Sequence, residues 1–277
     1  KEKISNKQFS IQYQDLVNNS VNKVAIKIEN LSFKRDGHEI LSNINIEIKK
    51  GDFVALIGKN GAGKTTLALI IMGILKKNNG VINILGETNI NIKKIRKKVG
   101  FLFQNPEHQL FCNTVTEEIN YGLEKGEDID KILHKMNLGK LKDNHPLTLS
   151  RGERQRVATA TALAHNPKIL IIDEPTTGQD WNNIKAFMDI LRELNNNGKT
   201  ILIITHDMRV VGEYCKKVIL MDDGGIVFNL DTRKAFEKLS TFENYDIKPS
   251  VITDISMKAG IKPPLLNVDE LIGDRDV

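Results

Sequence analysis

Residues 58–66 read GKNGAGKTT, directly after the apolar stretch FVALI at 53–57. The segment fits G-x-x-x-x-G-K-[ST] between a strand pattern and a helix pattern, the context in which that spacing cradles phosphate. Backbone N–H groups across Gly58, Asn60, Gly61, Ala62 and Gly63 would wrap a β-phosphate. Lys64 would neutralise β and γ oxygens, the Thr65 hydroxyl would bind Mg²⁺, and Thr66 would touch the α-phosphate.

A second anion-friendly feature lies at 148–157, TLSRGERQRV. Ser150 and Glu153 have the S-x-x-E spacing of a capping box. Gly152 sits inside that first turn, at a cost of about 0.5–1 kcal/mol relative to alanine, so something should require it. A helix start with free N–H groups and little side-chain bulk attracts anions.

Four more polar residues end apolar runs. VGFLF at 99–103 leads to Gln104, KILII at 168–172 leads to Asp173 and Glu174, and ILIIT at 201–205 leads to His206. Short continuous apolar runs are the pattern of strands buried on both faces of a parallel sheet. Ligands of open α/β sheets bind at the carboxyl ends of such strands. Asp173 suits Mg²⁺ binding, directly or through water. Glu174 is placed to polarise an attacking water. Gln104 would sense Mg²⁺ and that water, and His206 would hydrogen-bond a γ-phosphate.

The elements that must position these groups follow from periodicity. Val24, Ile26 and Ile28, then Ile44, Ile46 and Ile48, alternate with polar or small residues as antiparallel, half-exposed strands do. Helical patterns at 65–76, 182–196 and 207–215 separate the buried strands, an α/β arrangement. Residues from about 105 to 165 show helix patterns at 114–123, 128–137 and 150–164 and no clear strand, the mark of an inserted helical subdomain. Asp222 to Gly225 predicts a hairpin turn after KVILM at 217–221. Residues 1–22 are polar, with Asn-rich patches, and read as a tail or linker. Residues 241–277 read as a C-terminal helical extension. The expected fold is α/β, with a mostly parallel core sheet and an N-terminal antiparallel β-subdomain.

The 277 residues carry 40 Lys+Arg against 35 Asp+Glu. This mild positive charge permits an anionic partner but demands none. The longest apolar runs, such as 67–75, are about half the ~20 residues that span a bilayer. Cys112 and Cys215 offer neither metal spacing nor a disulfide framework, and fit a reducing compartment. His38, His108, His134, His145 and His165 have no ligand spacing. The basic run 93–98 reads as a solvated face, and Trp181 as packing at a helix start.

Taken together, the phosphate loop, Gln104, LSRGERQR, IIDEPTTGQD and ITHD resemble, in order and approximate spacing, an ATP-binding cassette (ABC) ATPase over roughly residues 24–240. The resemblance implies a P-loop fold, ATP and Mg²⁺ as cofactors, and ATP hydrolysis. It also explains the two anion sites. In that family the signature helix of one cassette, here Ser150, Arg151, Gly152 and Glu153, caps the γ-phosphate held by the phosphate loop of a second cassette, with Asp180 in the D-loop. FQNPEHQLF around Gln104, LSRGERQRVA and DEPTTGQDW resemble the energy-coupling factor (ECF) transporter ATPases, cobalt and vitamin importers, and in particular the second cassette of paired or tandem forms. A start at Lys1 rather than Met fits a half cut from a longer chain.

That resemblance implies two kinds of partner, a second cassette and integral membrane transporter subunits, at the cytoplasmic face of the membrane. Residues 107–111 would help grip a membrane partner, which would also choose the substrate. No nucleic acid partner is expected. The alternative, a soluble ABC ATPase acting on ribosomes or nucleic acid, meets two obstacles. Too few residues lie between Lys64 and Leu149 for a coiled-coil arm, and zinc cysteines are missing. Some positions depart from the family pattern. Arg151 and Glu153 stand in the signature where glycine and glutamine are usual, and Gln179 stands where leucine is commoner. Arg35 falls where an adenine-stacking aromatic is expected, and a guanidinium can stack there instead. Phe33 reads as core.

Overall fold

A computed structural model describes residues 24–88, 90–121, 123, 129–238, 245 and 247–272. The tail read at 1–22 and the last residues of the extension lie outside these. Two sheets organise the molecule. The first has four strands in the order β2-β1-β4-β5: β1 (Val24–Arg35), β2 (His38–Lys49), β4 (Asn79–Ile84) and β5 (Glu87–Thr88). β1 and β2 form the antiparallel hairpin that the alternating isoleucines predict, with Ile28 opposite Ile46. The second sheet has the order β10-β9-β3-β8-β7-β6. Its strands are β3 (Phe53–Ile57), β6 (Val99–Leu102), β7 (Ile169–Asp173), β8 (Thr200–Ile204), β9 (Lys217–Asp222) and β10 (Gly225–Asp231).

In the second sheet β3, β6, β7, β8 and β9 run parallel. β10 joins β9 through the antiparallel turn expected at 222–225. Asp223 and Gly224 both have positive φ there, the requirement of a tight primed turn. Every residue of β3, β7 and β8 is buried. Alternate residues serve two cores, one on each face. Phe53, Ala55 and Ile57 point into one, Val54 and Leu56 into the other. A strand with apolar surface on both sides has no polar face to alternate with, which is why its sequence is continuously apolar.

Helices complete the layers. α1 (Lys64–Ile71) follows β3, and α2 (Ile92–Lys98) precedes β6. α3 (Val115–Asn120), α4 (Asp130–Lys135) and α5 (Arg151–Ala164) lie between β6 and β7. α6 (Trp181–Asn196) connects β7 to β8, and α7 (Met208–Tyr214) connects β8 to β9. α8 (Thr232–Glu237), α9 (Val251–Lys258) and α10 (Val268–Ile272) end the described chain. No described helix is long and apolar enough to cross a membrane.

Residues 79–98 escape periodicity. β4 is NGVINI, whose Asn and Gly read as a turn. Gly80 is there because a Cβ would lie 2.5 Å from the Leu31 Cα. The basic run 93–98 is a helix with only Ile95 buried, so it gives almost no apolar period.

The C-terminal helices are fastened to the core at α7. The carbonyl of Leu266 lies so close to Gly212 that an added Cβ would be 2.6 Å from it. Arg233 makes a two-pronged pair with Glu270 and donates to the Pro264 carbonyl at 3.1 Å. Gly212→Ala therefore sets two effects against each other. Helix propensity gains about 0.5–1 kcal/mol, while forcing a methyl against backbone costs about 1–3 kcal/mol. A methyl 2.6 Å from a backbone oxygen falls in the upper part of that range, about 2–3 kcal/mol, so the clash wins by about 1–2.5 kcal/mol and lowers Tm by roughly 2–10 °C at about 2–4 °C per kcal/mol. A thermal melt that rises instead would contradict this contact.

Candidate active site

The parallel register carries the sheet's polar ends to one rim. β3 pairs with β8 through Leu56 and Ile204, and β8 with β7 through Ile204 and Asp173. The loop after β3, Asp173 at the end of β7 with Glu174 next to it, and His206 after β8 are therefore neighbours. They border one cleft of about 960 Å³.

α1 starts without a side-chain cap, and its N-cap Gly63 is left-handed, φ 96°. The first N–H groups of α1 thus have no side-chain acceptor, which leaves them available to an anion. The glycines are also sterically required. A Cβ on Gly58 would lie 2.1 Å from the Met221 carbonyl oxygen, and one on Gly63 would lie 2.6 Å from the Leu41 side chain. Lys64 is buried, and its Nζ donates to the carbonyls of Gly58 at 2.7 Å and Lys59 at 2.8 Å. Burial lowers its pKa, and the carboxylates of Glu174 and Asp173 oppose that shift.

Thr65 donates its hydroxyl to Asp173 Oδ2 at 2.8 Å. Asp173 is buried, and its other oxygen, Oδ1, has no partner among the described residues. Burial raises the Asp173 pKa, against the pull of Thr65 and Lys64. An unsatisfied buried carboxylate oxygen beside a threonine hydroxyl is a half-built oxygen site for a hard cation. Gln104 borders the same cleft. One carboxylate alone does not cage Mg²⁺; phosphate oxygens and water would complete the shell.

Glu174 has φ 45°, uncommon for a residue with a side chain. Strain of this kind, of order 1–3 kcal/mol, persists where surroundings over-determine it and clusters at functional sites. Here the Glu174 N–H donates to the Ile204 carbonyl at 2.8 Å. Its Oε2 meets His206 Nδ1 at 2.9 Å. The carboxylate is mostly buried while the histidine ring is open. Burial lifts the Glu174 pKa above the usual glutamate range, opposed by His206 and Lys64.

The signature segment behaves differently. Ser150 caps α5 in a full capping box with Glu153. The Ser150 hydroxyl donates to Glu153 Oε2 at 2.8 Å. Those bonds hold the Glu153 carboxyl below its ordinary range. A Cβ on Gly178 would be 3.2 Å from the Arg151 guanidinium, so Arg151 packs over the turn before Asp180. Asp180 caps α6 by accepting from the Asn183 N–H at 3.0 Å. Gln179 donates to the Pro175 carbonyl at 2.9 Å and bonds Gln155. Neither Ser150–Glu153 nor Asp180 borders the cleft, and Arg35 and Ala62 do not border it either. Arg35 is exposed at the β1–β2 turn, where Ile40 is the strand residue that reaches the cleft.

Sequence reading did not single out Thr177, Ile40, Ile247 or Lys248, which also border the cleft. Thr177 sits in a recognisable acid-to-turn segment. The other three arrive from distant elements and carry no motif.

The electrostatics give a stability test. A raised folded pKa means that Glu174 costs nothing below its unfolded pKa, where both states are protonated. The cost grows as pH rises through the folded pKa. Glu174→Gln should therefore match the parent's Tm near pH 4 and exceed it by a few degrees at pH 8. Equal melting temperatures across that range would contradict the burial-driven shift.

The ABC transporter family model matches residues 41–177. The energy-coupling factor transporter ATP-binding protein EcfA of Methanococcus maripaludis is 38% identical, over 82% of this chain and 88% of its own. An ABC transporter ATP-binding protein of Methanosarcina mazei is 40% identical over 89% of this chain, yet the chain spans only 44% of that relative. Among solved structures, cbiO1 from Clostridium perfringens, part of the transporter complex cbiONQ, superposes with a TM-score of 0.74 at 32% identity. It covers 86% of this chain and 100% of its own. A dimeric cassette, MJ0796, bound to ADP and Pi gives 0.66 at 29% identity over 75% and 98%. With the phosphate loop, the acid pair and the signature helix in these places, the chain belongs to the ABC transporter family of ATP-binding cassettes, and its energy-coupling factor members are among its near relatives.

Proposed function

We propose that this chain binds and hydrolyses ATP as the nucleotide-binding subunit of an ECF-type importer of a vitamin or transition metal. The observation that carries the reading is the convergence of Lys64, Asp173, Glu174 and His206 on one cleft, while the capped helix start at Ser150 lies outside it. A helix tip that serves no phosphate of its own chain is explained if it serves a neighbour's. The functional unit is then a head-to-tail pair of cassettes with two shared sites. The matched segment fills less than half of the Methanosarcina relative, which leaves room there for a second cassette and supports a paired or tandem form.

In the cleft the phosphate loop and Lys64 bind the β- and γ-phosphates. Thr65, Asp173 and Gln104 would hold Mg²⁺, which supplies charge neutralisation on the phosphate oxygens. Glu174 orients the attacking water and accepts its proton as the water oxygen bonds to the γ-phosphorus and the bond to the β-bridging oxygen breaks. His206 holds the Glu174 carboxylate through Nδ1. Catalysis is then mostly positioning and electrostatics.

The membrane-side grip falls after Gln104. Phe111 is exposed and meets Tyr121 edge-on at 4.6 Å. The buried Glu118 carboxylate accepts from the N–H groups of Phe111 and Cys112, both at 2.8 Å, and so fixes that loop. An exposed aromatic pair, one ring on that fixed loop and one at the end of α3, suits a cytoplasmic helix of a membrane subunit. The cassette would thus sit peripherally on the cytoplasmic face.

Two substitutions test the core of this reading. Lys64→Ala should lower ATP affinity by at least about 100-fold, since it removes a buried charge-assisted contact. Unchanged affinity by fluorescence titration would contradict the phosphate-loop assignment. Glu174→Gln should keep ATP binding, cut turnover by about 10²–10⁴-fold, and accumulate paired cassettes on ATP addition, read by light scattering with the natural partner present. Monomers alone would contradict the shared site.

A further inference from the structure

The cleft has a direction. β2, which brings Ile40, lies on the β9–β10 side, since Ser42 donates to the Gly224 carbonyl at 2.9 Å. His206, Glu174 and Gln104 follow β8, β7 and β6, on the other side of β3. A nucleotide whose β-phosphate lies on the loop after β3 therefore has its base toward Ile40 and its terminal phosphate toward His206.

At that terminal end stands a residue from outside the catalytic core. Ile247 is buried in the core that also takes residues of α7 and α8, and Lys248, next in sequence, borders the cleft alongside His206. A second cleft, of about 740 Å³, opens between α6, α7 and the C-terminal helices. It contains no phosphate-loop residue, and the residues it shares with the first cleft are His206 and Lys248. Lys248 thus lies in the wall beside His206, not along the loop that holds the inner phosphates. Its backbone position is set by the anchor at Ile247 on one side and by Ser250, which caps α9, on the other. The same C-terminal segment is locked to α7 through Leu266 and Gly212, and α7 begins two residues after His206. Lys248 is exposed, and its ammonium has no ion-pair or hydrogen-bond partner among the described residues.

We propose that Lys248 is a terminal-phosphate ligand supplied in cis by the C-terminal extension, so that this extension distinguishes a nucleoside triphosphate from a diphosphate. The proposal rests on the nucleotide reading above. A flexible ammonium is a point-charge phosphate binder. Its site beside His206 gives it reach to the γ-phosphate and leaves the β-phosphate to Lys64. Loss of the γ-phosphate on hydrolysis removes its partner, which would tell the extension, and whatever rests on its exposed face, that turnover has occurred.

The test is calorimetric titration of Mg·ATP and Mg·ADP into the full chain carrying Glu174→Gln to stop turnover, at concentrations where scattering shows single chains. Adding Lys248→Ala should weaken ATP about tenfold, as loss of one charge-assisted bond does, and ADP by less than about twofold. Lys248→Arg should restore ATP to within about threefold. An exposed lysine should leave the melting temperature unchanged. Equal effects on ATP and ADP, or none on either, would overturn the proposal. Lys64→Ala is the control: if it weakens both nucleotides while Lys248→Ala weakens neither, only the Lys248 assignment falls. If Lys64→Ala weakens neither, the nucleotide reading itself falls.

Discussion

Three ionisable groups are held at a nearly dry sheet edge without enough partners to settle their charges. Lys64 and Asp173 are 8% and 5% exposed, and Glu174 is little more open. Lys64 turns back on two carbonyls of its own loop, Asp173 leaves one oxygen unbonded, and Glu174 leans on an open histidine. Burial pushes the carboxylates up and the lysine down, each toward neutrality. The register among β3, β7 and β8 sets these groups side by side at the sheet's rim. A polyanion paired with a divalent cation would supply what the cluster lacks: acceptors for Lys64, and a positive centre for Asp173.

The same constraint divides labour within the chain. The cleft holds Lys64 and the uncapped N–H groups of α1, and the start of α5 lies outside it. The start of α5, the second anion site of the proposed pair, has its serine engaged by Glu153 and its flank covered by Arg151. In the proposed pair, Glu153 would have to release Ser150, or share it, to receive a neighbour's phosphate, and the carboxylate would stand beside that phosphate. In the proposed pair, this half-site would therefore bind a neighbour's nucleotide less readily than a signature with glutamine at that position. Gln179 and Gln155 tie the turn before Asp180 to α5.

Much of this was written in local sequence. The phosphate loop, the buried strands and the acid pair each announce themselves because short-range chemistry dictates them: glycines where a Cβ would strike backbone, unbroken apolar runs where both faces are covered, polar residues at strand ends. The strained φ of Glu174 was hidden, because nothing in DEPTT marks a left-handed glutamate. β4 and α2 were hidden because one strand opens on Asn-Gly and the other element buries a single isoleucine. Ile40 and Lys248 were beyond reach for a different reason. They come to the cleft through tertiary packing, of β2 on the β9–β10 turn and of the C-terminal helices on α7, and carry no motif of their own.

The most direct test of the central claim measures whether the cation and the nucleotide settle the buried charges together. Thermal shifts would be recorded for the parent and for Asp173→Asn, each with ATP alone and with ATP plus Mg²⁺. Ligand saturating at about 100 times its Kd stabilises by about 2.7 kcal/mol, or roughly 5–10 °C at this size. The parent should gain more with Mg²⁺ than without it, and Asp173→Asn should lose that increment while keeping the shift from ATP alone. An identical Mg²⁺ increment in both proteins would contradict the account.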